Sequence, residues 1–311
     1  MIDFSKKPLF LAPLAGFSDI ALRGVVKRFG CDVTTSEMIS SNALAHNDKK
    51  TLKMLEKNEE EIPYIVQIAG NNTDIVKEAV LVLNKFDFID GIDLNCGCPA
   101  TKVVKNGSGS ALLKDIDLLK EILLTIKEYS NKKYLSIKIR LGFDDKIPEI
   151  LVREIEKCDV DYIAIHGRTK VGGYSSKVDY EAILRAKNTT FIPIIANGDI
   201  SYENAKEVLS YTKADGLMIG RASIGNPWIF YEIKHNEKVS DKIKKEIILC
   251  HFDEMIKHYK NQGIIIFRKH LHQYSKGYDG ASEFRNEINH INDEILMREK
   301  IEQFFSWNYL I

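Results

Sequence analysis

Two cysteines separated by one glycine, Cys96 and Cys98, lie in the run LNCGCPATKVVKNGSGSALL at residues 94–113, directly after the apolar stretch 89–94. A thiol at the end of a buried strand, followed by a Gly/Ser-containing connection that can move, is placed for chemistry on a bound ligand. Cys98, between Gly97 and Pro99, is the candidate for an exposed functional thiol, whereas Cys96 has the setting of a packing residue. A thiol with an ordinary pKa of about 8.5 is mostly protonated at neutral pH and can serve as a proton donor. The pair has no second pair at zinc spacing, so no metal site is expected.

Polar residues and glycines recur wherever a short apolar segment ends: Pro13-Leu14-Ala15, Gln67, Asn95, Lys138, His166-Gly167-Arg168, Asn197-Gly198-Asp199 and Gly220-Arg221. Lys138 lies in the alternating segment SIKIRLG, with Ser136 and Arg140 on its own face. An inward lysine needs an anionic or acceptor partner, such as the N1–C2=O edge of a reduced isoalloxazine; the plainer alternative is a surface lysine. Gln67 can both donate and accept at a ring's polar edge, and His166 can meet a phosphate or a flavin edge. Asn197-Gly198-Asp199 and Gly220-Arg221 stand where parallel barrels hold a phosphate through backbone N–H groups, Arg221 adding a forked cation. The plainer alternative for Gly198 and Gly220 is a tight turn. No G-x-G-x-x-G follows a strand, so a dinucleotide fold of the Rossmann kind is not supported.

These residues need a scaffold. Apolar, β-branched segments at 9–12, 32–36, 64–69, 91–95, 135–140, 162–166, 192–196 and 216–219 read as strands. Helical patterns at 73–86, 115–129, 148–157, 180–187 and 201–211 fall between them. Strands alternating with helices imply a parallel sheet, and near-continuously apolar strands imply burial on both faces. Eight strand candidates favour a closed (β/α)8 TIM barrel over an open doubly wound sheet. The polar stretch 234–242 ends the alternation, and from Lys244 the pattern is helical only. This divides the chain into a barrel domain, 1–235, and a C-terminal all-helical domain, 241–311.

The 311 residues carry 44 Lys+Arg against 44 Asp+Glu, so no global basic field points to nucleic acid and any RNA site must be local. Five cysteines suggest no disulfide framework and fit a reducing cytosol. The N-terminus lacks a secretory core, and no stretch reaches the ~18 apolar residues of a membrane span. A cytoplasmic monomer without membrane or metal is expected.

The segments APLAGFSD, SEMIS, VQIAG, LNCGCPATKVVKNGSGSALL, IKIRLG, IHGRT, IANGDI and MIGRASIGNPW together resemble the tRNA-dihydrouridine synthase family, in particular its bacterial B-type subgroup. The resemblance spans nearly the whole chain. It implies a flavin-binding barrel followed by a helical tRNA-recognition domain. FMN would lie across the mouth, held by Pro13, Leu14, Ala15, Gln67, Lys138, His166, Asn197, Gly198, Asp199, Gly220 and Arg221. NADPH would reduce FMN, and hydride would pass from FMNH2 to uridine C6. Cys98 would protonate C5, with Asn95 and Arg168 near the uracil. Leu14, Gly172 and Ser176 depart from the family's common methionine, glutamine and glycine.

The window 255–278 has no Asp or Glu but holds Lys257, Lys260, Arg268, Lys269 and Lys276, interleaved with Tyr259, Phe267, Tyr274 and Tyr278. Cations with aromatics suit a surface that grips phosphates and stacks bases; the alternative is a solvated face over core aromatics. Arg268 and Lys269, with Lys102 and Lys105 on the cysteine loop, are the expected tRNA contacts. Two rival functions are a flavin barrel acting on a small molecule, such as a dihydropyrimidine or dihydroorotate, and a catalytically idle RNA-binding protein. Neither uses both the thiol and the helical extension.

Overall fold

A computed structural model of the chain describes residues 1–307. Its strands are β1 (Leu9–Leu11), β2 (Thr34–Thr35), β3 (Ile39–Ser40), β4 (Tyr64–Ala69), β5 (Gly91–Cys96), β6 (Tyr134–Arg140), β7 (Tyr162–His166), β8 (Ile194–Asn197) and β9 (Gly216–Ile219). They run in the order β1-β9-β8-β7-β6-β5-β4-β2, and neighbours are parallel. The ring is drawn together where Leu11 N donates to Val33 O at 3.0 Å and Asp32 N to Leu9 O at 2.8 Å. The barrel is therefore as expected, with differences in its elements. The expected strand at 32–36 shrinks to the two residues of β2, and the unexpected β3 adds to β4 beside it. The helix expected at 201–211 begins only at Ala205.

Side chains alternate across each strand. The outward set, including Val66, Ile92, Leu94, Ile137, Ile163 and Ile165, packs beneath the surrounding helices. The inward set begins apolar, with Phe10, Ile65, Tyr134, Tyr162, Ile195 and Met218 filling the lower barrel. Two residues further along those same faces come Gln67, Ser136 and Asn197, each at most 7% exposed. The barrel interior is thus apolar below and polar above.

The C-terminal helices Asp241–Tyr259, Asn261–Tyr274, Ala281–Ile288 and Glu294–Trp307 enclose a second core of Ile247, Phe252, Met255, Phe267, Leu271, Phe284 and Ile301. That core continues into the barrel through Ala21 and Val25 of helix Ile20–Arg28 and through Trp228. Arg28 Nη2 pairs with Glu254 Oε1 at 2.7 Å across the joint. Asp19 caps helix Ile20–Arg28, its Oδ1 accepting from Leu22 N at 3.0 Å. Its Oδ2 faces His270 Nε2 at 3.8 Å, and with His251 they form a buried cluster whose facing atoms lie within 4.8 Å of one another. Nothing in the sequence had signalled that cluster, because its members lie far apart along the chain. No described helix is long and apolar enough to cross a membrane.

Beside the joint, Arg23 and Glu61 form an ion pair at 2.8 Å with side chains 2% and 0% exposed. Arg23 also donates to Ser18 O and Glu56 O, tying the 56–61 segment to the first helix. Breaking one side of such a pair strands a buried charge. Glu61→Ala is expected to cost about 3–5 kcal/mol of stability, read as the shift in the urea unfolding midpoint at unchanged slope.

Candidate functional site

Strand register sets the polar inward residues side by side in successive rows at the top of the barrel. Gln67 lies opposite Asp93, Asn95 opposite Lys138, Arg140 opposite His166, and His166 opposite Asn197. A buried polar group without a partner is costly, and here the groups partner one another. Gln67 Nε2 donates to Asp93 Oδ2 at 2.7 Å, Ser136 Oγ donates to Asp93 Oδ1 at 2.7 Å, and Asn95 Nδ2 donates to Gln67 Oε1 at 2.7 Å. Lys138 Nζ donates to Asn197 Oδ1 at 3.0 Å, so the lysine is an inward residue with an acceptor and not a surface one.

The cysteine run leaves β5 at this level. Cys96 is fully buried in the outer core, and burial raises its thiol pKa well above the ordinary value, which fits a packing role. Cys98 is half-buried. Its N–H donates to Asn95 Oδ1 at 2.9 Å, and its carbonyl accepts from Ser110 N at 3.1 Å and Ser110 Oγ at 2.9 Å. Arg140 Nε donates to Gly97 O at 2.7 Å from below. Gly109, at φ +63°, passes so close that a Cβ there would meet Cys98 O at 2.9 Å. The expected movable loop is therefore fastened on three sides around the thiol.

A cavity of about 450 Å³ opens at the mouth. Pro13 and Leu14 line one side, Lys138 and His166 its floor, and Asn197, Gly198, Asp199, Gly220 and Arg221 the far side. Gly198 has φ +124°, and a Cβ on it would meet His166 Cδ2 at 2.9 Å and Val178 at 3.1 Å, so this glycine is sterically required. At Gly220 a Cβ would meet nothing closer than 3.8 Å. Asp199, at φ +44°, stands between two guanidiniums: Arg168 Nη2 reaches its Oδ2 at 2.5 Å and Arg221 Nη2 its Oδ1 at 2.6 Å. The bond from Arg168, against some burial, leads in holding the Asp199 carboxyl below its usual range.

The cationic surroundings act on their neighbours. Burial, then Arg140, lowers Lys138 to about 8 although Asp93 and Cys98 oppose this. Burial, with Lys138, Arg140 and Arg168 nearby, brings His166 down to about 2, so its ring is neutral at neutral pH.

Of the residues expected to hold a cofactor, two fall outside the cavity lining. Ala15 is exposed at the rim, and Gln67 lies fully buried beneath, bonded into the polar layer. Arg168, expected beside a substrate, is 4% exposed, and its guanidinium is shared among Asp199, Ser176 O and His166. Lys102 and Lys105 are exposed on the short helix Thr101–Lys105. Lys269 lies 3.9 Å from Asp19 and 5.5 Å from the Phe17 ring centre, beside the first barrel loop. Arg268 points elsewhere, its Nη2 donating to Ile291 O and Asn292 Oδ1 within the helical domain. Phe267 and Tyr274 are core residues at 0% and 3% exposure, so they are not available to stack bases. Three site residues escaped the sequence reading: Asp93, Arg140 as the clamp on the cysteine loop, and Tyr174, whose exposed ring lies 4.5 Å from the Arg221 guanidinium at the mouth.

Residues 10–307 match the family described as Dihydrouridine synthase (Dus). A probable tRNA-dihydrouridine synthase of Helicobacter pylori (strain J99) is 50% identical, over 99% of this chain and 95% of that protein. The tRNA-dihydrouridine synthase B of Vibrio vulnificus is 38% identical over 96% of each. Among solved structures, morphinone reductase is similar with a TM-score of 0.56 at 12% identity, over 75% of this chain and 87% of that one. The old yellow enzyme homologue of Zymomonas mobilis gives 0.53 at 12% identity, over 75% and 89%. At such identities the likeness concerns the fold alone.

The state of His166 has a consequence for stability. Its folded pKa of about 2 lies below the ordinary 6.5, so as pH falls below 6.5 the unfolded chain takes up a proton that the folded chain refuses. Stability is therefore lost on acidification through that window. His166→Asn is expected to flatten the loss between pH 7 and pH 5 by roughly 1–2 kcal/mol, measured by urea unfolding at each pH. The opposing contribution of Asp93 is common to both proteins and drops out of the difference.

Proposed function

The chain belongs to the dihydrouridine synthase family, and on that premise we propose that it reduces uridines of tRNA to 5,6-dihydrouridine with a flavin bound across the barrel mouth. The observation that carries this reading is Cys98, half-buried on a loop held by Asn95, Ser110 and Arg140, leaving the strand that pairs with the one bearing Lys138. The cavity's donor set fits FMN. Lys138 places a cation, and His166 a neutral ring, at the floor, where an isoalloxazine's polar edge would lie. Gly198, held glycine by its contacts, and Gly220-Arg221 offer backbone N–H groups and a guanidinium to one phosphate. We assign Pro13, Leu14 and Ala15 to the ring's flank, Asn197 to fixing Lys138, and Asp199 to holding Arg221 in place. Gln67, buried below the cavity lining, is assigned to supporting the ring's side of the site through its bonds to Asp93 and Asn95.

Reduced flavin, when bound, supplies hydride to C6 of the uracil, and NADPH is the assigned reductant. The rest falls to the chain. Cys98 Sγ gives its proton to C5, a general-acid step typically worth 10²–10⁴-fold. Asn95, whose Oδ1 is already committed to the loop, keeps one N–H for the uracil carbonyl. Arg168 is assigned to the same side, its charge shared with Asp199. The base must leave the RNA stack to enter, at a cost of a few kcal/mol that is least in a loop. Lys102, Lys105 and Lys269 are assigned to phosphates, and Arg268 to ordering residues 291–292 behind them. We assign the protein to the cytoplasm, where tRNA is met.

The test is nucleoside mass spectrometry on unmodified tRNA incubated with the protein, FMN and NADPH. A gain of two hydrogens on uridine is expected; its absence, from protein carrying flavin, overturns the reading in favour of a small-molecule reductase. Cys98→Ala should keep its flavin absorbance and its tRNA affinity while dihydrouridine formation falls by roughly 10²–10⁴-fold. Reversing Lys102 and Lys105 to Glu should weaken tRNA binding and make its salt dependence shallower by roughly one unit of slope for each phosphate no longer neutralised, measured by filter binding across KCl concentrations.

A further inference from the structure

We propose that Asp93, buried beneath the cavity, is a positioning residue that sets the orientation of Gln67 and Asn95 and, through them, of the backbone that presents Cys98. The inference rests on the proposed function only for the value it gives to Cys98; the hydrogen-bond chain itself belongs to the fold.

Asp93 is 3% exposed, and both its oxygens are bonded, Oδ2 to Gln67 Nε2 and Oδ1 to Ser136 Oγ, each at 2.7 Å. A carboxylate accepts and cannot donate, so the Gln67 amide must turn its nitrogen down to Asp93. Its oxygen is then turned toward Asn95, where it accepts from Nδ2 at 2.7 Å. Asn95 is left with its own oxygen toward the loop, accepting from Gly97 N at 3.2 Å and Cys98 N at 2.9 Å. A side-chain amide has two orientations of nearly the same shape, and only its partners choose between them. Here the choice passes from Asp93 through two amides to two backbone N–H groups. A reversed Asn95 would set an NH2 group against both of those donors and release the segment carrying the thiol. Burial raises the Asp93 carboxyl to about 6, restrained by the Gln67 and Ser136 donors, so at neutral pH it is the acceptor the chain requires.

Ser136 makes the inference separable from charge. Its hydroxyl can turn to accept, so Asp93→Asn can keep an oxygen toward Gln67 and give its NH2 to Ser136. Asp93→Ala cannot. The experiment is iodoacetamide labelling of Cys98 in the protein as purified, followed by peptide mass spectrometry, with cooperative thermal unfolding as the check on folding. Asp93→Asn should label within about twofold of wild type, and Asp93→Ala should differ by on the order of tenfold, the weight of one lost buried hydrogen bond. Should Asp93→Ala not fold, Gln67→Met cuts the next link and should alter Cys98 labelling in the same way. A folded Asp93→Ala or Gln67→Met protein that labels at the wild-type rate overturns the proposal. So does an Asp93→Asn protein as altered as Asp93→Ala, because charge would then be the operative property. The expected labelling pattern in a protein that forms no dihydrouridine would support the proposal and remove only the functional reading.

Discussion

The upper half of the barrel is a small buried space filled with polar side chains, and none can stay there unless its neighbours satisfy it. Desolvating an amide or a carboxylate without a partner costs roughly as much as several buried methylenes return. Parallel register solves this by setting Gln67 beside Asp93, Asn95 beside Lys138 and His166 beside Asn197 in adjoining rows. The lower barrel, filled with Phe10, Tyr134, Tyr162 and Met218, supplies the rigid floor on which that layer rests. Lys138, Asn197 and the backbone that carries Cys98 are oriented by contacts made within this layer or directly above it.

The same layer sets the electrostatics of the mouth. Lys138 and Arg221 line the cavity, Arg140 and Arg168 are buried beside it, and carboxylates near them are Asp93 below and Asp199 at the rim. The chain is neutral as a whole, so this local excess of cations is a product of folding and not of composition. It suits anionic groups at two places, a phosphate near Arg221 and a charge-accumulating ring edge near Lys138.

Much of this could be read from the residues in order. The bounds of β4, β7 and β9 agree with the apolar runs expected there, since strands buried on both faces leave an uninterrupted signal. β3, at two residues, is too short to show a period. Asp93 was hidden because its meaning lies in Gln67 and Ser136, each on a different strand, and pairing across strands is not written locally. In the acid-free window the alternative of core aromatics holds for Phe267 and Tyr274. Ile264, Phe267, Leu271 and Tyr274 recur at helical spacing, which marks a buried face, and the core holds all four. Periodicity places Phe267 and Tyr274 inside and leaves Tyr259 and Tyr278 half-buried.

Gly172 and Ser176, the two departures that the resemblance implies after IHGRT, are neighbours in the structure. A Cβ at position 172 would meet Ser176 Oγ at 2.7 Å and Thr169 Oγ1 at 3.1 Å. The two positions are therefore sterically coupled: a side chain at 172 requires the Ser176 hydroxyl to turn away, and a glycine at 176 would remove that demand.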